Sequence, residues 1–117
     1  MKINAFKLLP FIFVVATSSA FATTLSVHLV GDSPAKYRCN DGTEVTARYY
    51  ELSDKSLQLV KLKFKKQEVT LPAVISGSGS RYNDSYKMEW WIKGKSATLN
   101  RDISDKNQTV VECRLIS

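Results

Sequence analysis

Residues 57–64 read LQLVKLKF. Val60, Leu62 and Phe64 fall at every second position, with Lys61 and Lys63 between them. Side chains alternate across a strand, so this segment has one apolar face and one charged face. The same period returns on either side of it. Thr43–Tyr50 (TEVTARYY) is rich in β-formers and partly alternating, and Val69–Leu71 is apolar, with Pro72 ending or edging that strand. Residues 87–93 (KMEWWIK) set Met88, Trp90 and Ile92 against Glu89, Trp91 and Lys93; Ala97–Leu99 and Val110–Leu115 add two more runs. Between them stand turn signals: Asn40-Asp41-Gly42, Ser53-Asp54-Lys55, Lys65-Lys66-Gln67, Lys93-Gly94-Lys95 and Ser104-Asp105-Lys106-Asn107. No long amphipathic helical run interrupts them. Short strands joined by tight turns predict an antiparallel meander, and closing roughly six to eight of them into a barrel removes exposed edges. The expected fold is all-β and single-domain, a small antiparallel barrel.

Composition narrows the function classes. The chain has 117 residues, 17 Lys and Arg against 11 Asp and Glu, two cysteines and one histidine. That length allows one domain. One histidine and two distant cysteines do not make a structural zinc site, and neither a phosphate-cradling loop nor a dinucleotide turn is present. No cofactor, metal or nucleic-acid partner is expected.

Residues 1–22 (MKINAFKLLPFIFVVATSSAFA) carry Lys2 and Lys7, a short apolar run and the small-x-small ending Ala20-Phe21-Ala22. This reads as a cleavable signal peptide, leaving residues 23–117 as the folded domain. No cysteine follows the cleavage site, so no bacterial lipid anchor is expected, and the product is expected to be exported. Export into an oxidising compartment favours a disulfide between Cys39 and Cys113 over two free thiols or intermolecular pairing. Such a bridge closes a loop of about 75 residues, for which chain entropy alone gives about 4 kcal/mol.

The unusual stretch is SGSGSRY at 76–82. Glycine has no Cβ, so the backbone here can approach a partner closely or take positive φ. On composition alone it reads as a flexible surface loop. A stiff β-rich segment with Trp90, Trp91 and Lys93 follows within about ten residues, so loop and hairpin together make a candidate protruding edge.

An ordered set of pieces now stands out: Tyr37-Arg38-Cys39 with Asp41-Gly42, then SGSGSRY, then WWIKGKSATL at 90–99, then Cys113. Together they resemble the MliC/PliC family, bacterial inhibitors of c-type lysozyme. The resemblance runs from about residue 36 to 115 and implies a small eight-stranded antiparallel barrel. It also implies a protein partner, a c-type lysozyme. In the family the serine preceding the loop glycine enters the lysozyme cleft beside the lysine of the W-x-K-G hairpin. Carried over, these are Ser78 and Lys93. Gly77, Gly79, Ser80, Arg81, Tyr82 and Gly94 complete the expected contact set, with Ser80 the alternative serine to pair with Lys93. Lysozyme works with two carboxyl groups, one protonated and one ionised. A hydroxyl suits the first and an ammonium suits the second.

Tyr82 is expected to be mainly structural and Trp90 to be core. Trp91 is either a platform beside Lys93 or, with an intervening bulge, core. Lys61, Lys63, Lys65 and Lys66 read as a solvated strand face, with a docking stripe for an anionic glycan, lipopolysaccharide or nucleic acid as the rival reading. The competing function is a periplasmic binding module that holds an anionic glycan or an apolar ligand. An enzymatic Ser/Lys pair has no supporting motif.

Overall fold

The structure, a computed structural model, describes residues 26–85, 87–107 and 110–117. The predicted signal peptide, residues 1–22, lies outside the described residues. Nine strands follow in order: β1 (Leu29–Gly31), β2 (Ala35–Cys39), β3 (Glu44–Leu52), β4 (Gln58–Phe64), β5 (Gln67–Val74), β6 (Ser80–Asn83), β7 (Glu89–Lys93), β8 (Ser96–Asn100) and β9 (Val110–Leu115). Every pairing is antiparallel. The sheet order β3-β2-β9-β8-β7-β6-β5-β4 closes on itself through β3–β4, giving an eight-stranded barrel. β1 is an extra strand seated on the far part of β3, where Leu29 pairs with Leu52 and Gly31 with Tyr50.

The period-2 pattern decides which face is interior. In β4, Val60, Leu62 and Phe64 are buried while Lys61 and Lys63 are exposed. Trp90, at 0% exposure, joins Leu62, Leu71, Leu99, Val45 and Val60 as fully buried. Tyr37 meets Trp90 edge-on at 5.0 Å. The Trp90 Nε1–H donates to Tyr49 Oη at 3.0 Å, so the one polar atom of this buried indole has a partner. Burial pushes the Tyr49 phenol far above its ordinary pKa.

Cys39 and Cys113 are register partners on β2 and β9 and form the expected disulfide. Lys65 and Lys66, both with positive φ (46° and 60°), make the two-residue β4–β5 turn. Two left-handed residues in succession match the twist of the flanking strands, though lysine is a poor choice for either place. No helix among the described residues is long and apolar enough to cross a membrane.

Two expectations shift. Pro72 does not end its strand: β5 runs on to Val74. Pairing with β6 begins only at Ala73, so the missing N–H of Pro72 falls where no β6 partner stands. The serine-glycine stretch is also shorter as a loop than its composition indicates. Ser80, Arg81 and Tyr82 already belong to β6, because Tyr82 faces the core and fixes the register opposite Trp90.

Candidate functional site

The β7–β8 hairpin is built around Trp90. Its burial sends the neighbours Glu89, Trp91 and Lys93 to the outer face. The register is unbroken from Glu89↔Asn100 to Lys93↔Ser96, so no bulge intervenes and Trp91 shares a face with Lys93. Between Lys93 and Ser96 lie Gly94, at φ +61°, and Lys95, which is not left-handed. Positive φ at the first of two central residues is the geometry that glycine supplies in a tight hairpin turn. Lys93 is thereby fixed at the lip of the barrel.

The loop from residue 75 to 79 lies on this hairpin. Ser76 Oγ donates to the Ser78 carbonyl at 2.6 Å, and the Trp91 Nε1–H donates to the same oxygen at 2.9 Å. Gly79 has φ +65°, and a Cβ there would collide with the Ile92 carbonyl oxygen and lie 3.0 Å from Lys93 Cγ. Loop and hairpin thus touch at a place where only glycine fits. Ser78 itself is exposed. Among the described residues its Oγ has no hydrogen-bond partner, so the hydroxyl is free while the backbone behind it is held.

Lys93 is exposed and, among the described residues, makes no ion pair. Its Nζ stands 4.1 Å from the centroid of the Trp91 ring. An exposed cation–π contact of this kind contributes about 0.5–1 kcal/mol and limits where the ammonium wanders. The Arg81 guanidinium lies 5.1 Å from the same ring and is tied to Glu89 Oε2 through Nη2 at 2.8 Å and Nε at 2.9 Å. Asn83 Nδ2 donates to that oxygen as well, at 3.2 Å. A groove of about 530 Å³ runs beside these side chains over the outer face of β7 to β9.

Ser78, Gly79, Arg81 and Lys93 are therefore gathered around one indole, with Gly94 in the turn that follows Lys93. Ser80 is not in this group: it lines a cavity of about 490 Å³ at the barrel mouth, with Tyr82 and Ile92. Tyr82 is 7% exposed and packs at 5.7 Å against Tyr49, so it is turned inward. Gly77 is exposed, and a Cβ there meets nothing within 4 Å, so sterics do not require glycine at that position. Two residues escape the sequence reading. Ser76 braces the loop, and Ile75, at 98% exposure, projects from its base. The alternation that buries Trp90 already carried the signal for the Trp91 platform; nothing in the sequence marks Ile75.

A family model described as "Membrane-bound lysozyme-inhibitor of c-type lysozyme" matches residues 37–108, which include the loop at 75–79 and the β7–β8 hairpin. A Pseudomonas aeruginosa protein named membrane-bound lysozyme inhibitor of C-type lysozyme is 35% identical over 66 residues, covering 56% of this chain and 50% of its own. A Yersinia enterocolitica protein of the same name is 32% identical over 81 residues, covering 69% of this chain and 62% of its own. The chain thus spans between half and two thirds of the length of these curated relatives.

Proposed function

The chain belongs to the family of membrane-bound lysozyme-inhibitors of c-type lysozyme, and from that premise we propose that it inhibits a c-type lysozyme by occupying the enzyme's active-site cleft. It acts by binding, not as an enzyme. Ser78 and Lys93 are the central contacts. The observation that carries this reading is the single indole that holds both: Trp91 donates to the Ser78 carbonyl and lies beneath the Lys93 ammonium. A free hydroxyl and a free cation on a braced, protruding edge are pre-organised for a groove lined by one protonated and one ionised carboxyl group. The hydroxyl donates to or accepts from the acid, and the ammonium makes a charge-assisted hydrogen bond to the carboxylate. Ile75, apolar and fully exposed beside the loop, adds contact area at the rim. Ser80, facing the barrel mouth, plays no part in the pair. The proposed place of action is the bacterial envelope, reached through the leader read at residues 1–22.

Turbidity clearing tests the proposal. At roughly equimolar dose the protein is expected to stop a c-type lysozyme from lysing a cell suspension, through an interface of about 1,600 Å². Ser78→Ala and Lys93→Ala should each weaken inhibition about tenfold or more, with melting temperature unchanged because both side chains are exposed. Full inhibition by both variants, or no inhibition by the unaltered protein, refutes it.

A further inference from the structure

The outer faces of β2, β3, β4 and β9 form one continuous surface. The buried partners Tyr37, Val45, Ala47, Val60, Leu62, Val111 and Cys113 turn their neighbours outward. Six of those outward residues are cations: Lys36, Arg38, Arg48, Lys61, Lys63 and Arg114, all exposed. Across the strands Arg48 stands opposite Lys61 and Arg38 opposite Arg114, while Lys36 and Lys63 flank Thr46 from either side. Like charges placed directly opposite one another are unfavourable in a sheet. Carboxylates on these four outer faces are few. Glu44 pairs with Arg38 at 3.2 Å, and Glu112 lies on β9; from the adjacent β5, Glu68 reaches Lys61 at 3.6 Å. Both ion pairs are exposed and offset little of the repulsion. Lys36, Arg48, Lys63 and Arg114 make no ion pair among the described residues.

We infer that this face docks on a layer of anionic phospholipid headgroups. Charge complementarity supplies the attraction, at roughly fivefold in binding for each cation near such a surface. Two further observations select lipid over nucleic acid. The face is the convex outside of a small barrel, and among the described residues its one aromatic ring, Tyr50, is covered by the Arg48 guanidinium at 5.2 Å, which occupies the surface on which a base would stack. At one end it is bordered by exposed apolar side chains, Leu29 on β1 and Leu57 just before β4. Cations with apolar neighbours suit the boundary between headgroups and acyl chains.

Orientation follows from the ring order. β3, at the centre of the cationic face, is four strands from β7 in either direction around the barrel. Docking by β3 therefore turns Trp91 and Lys93 away from the lipid, toward an arriving protein. This consequence, unlike the docking itself, rests on the lysozyme reading above.

Sedimentation with lipid vesicles tests the inference on the full chain after secretion. Binding is expected to vesicles of equal parts phosphatidylglycerol and phosphatidylcholine, to be absent with phosphatidylcholine alone, and to fall steeply with added salt. The variants Lys36→Gln/Lys63→Gln and Arg48→Gln/Lys61→Gln should each lose roughly 25-fold in vesicle binding, by the per-cation factor above, yet inhibit lysozyme as the unaltered protein does. Equal binding to both vesicle types, or unchanged binding by both folded variants, overturns it. So does binding to duplex DNA without binding to anionic vesicles. Vesicle binding by a protein that fails to inhibit lysozyme would uphold the docking and refute the inhibitor reading alone.

Discussion

Two tryptophans sit side by side and do opposite work. Trp90 is wholly buried and depends on Tyr49 for its only polar bond. Trp91 spends its indole on the loop and the lysine. Tyr49→Phe should destabilise the protein by about 1–3 kcal/mol in urea unfolding at neutral pH, because the Trp90 N–H is left buried without an acceptor. It also changes the alkaline limb. Burial raises the Tyr49 phenol above its ordinary value of 10.0, and Tyr82 is raised for the same reason. Below pH 10 folded and unfolded chains both keep these protons, and stability is unaffected. Above it the unfolded chain releases its protons first, so stability falls as pH rises, by up to about 1.4 kcal/mol per pH unit for each phenol. In Tyr49→Phe that fall should be shallower; an identical alkaline profile would contradict the burial argument.

At the scale of elements, the site is a loop pressed onto a hairpin, and Gly79 is the point of contact. Gly79→Ala strains a left-handed backbone and meets the Ile92 carbonyl, so the loop must lift. Inhibition should drop by more than tenfold, whereas the stability loss, read by thermal melting, stays near 1–2 kcal/mol. Strand positions were largely legible in the sequence, since burial of Val60, Leu62 and Trp90 follows from alternation alone. β1 was not: its three residues are all exposed and are held by backbone pairing to β3. β6 was hidden for a similar reason, because serine and glycine carry no apolar pattern and only Tyr82 fixes the strand's face. The loop beside the hairpin was legible from the residues as a candidate protruding edge, whereas the choice of Ser78 and Lys93 within it came only from the family resemblance. Ser78 lies in the loop that Trp91 holds, whereas Ser80 lies in β6 and lines the cavity at the barrel mouth, a difference of place that spacing along the chain does not supply.

On the scale of the whole molecule, one closed sheet displays different chemistry on opposite walls. β7 presents the platform, and β2, β3, β4 and β9 together present the cations. Closure brings β2 and β9 together, and the Cys39–Cys113 bridge joins them over a separation of 74 residues. Replacing both cysteines by alanine should cost about 4 kcal/mol by the chain-entropy argument, a fall in melting temperature of roughly 15–30 °C for a domain of this size. A shift of only a few degrees would mean that barrel closure alone holds the two strands. The central claim is occupancy of the cleft, and competition tests it most directly. An oligomer of N-acetylglucosamine bound in the lysozyme cleft should displace the protein, each ligand raising the apparent dissociation constant of the other in proportion to its concentration. A ternary complex in which both bind with unchanged affinity would contradict the account.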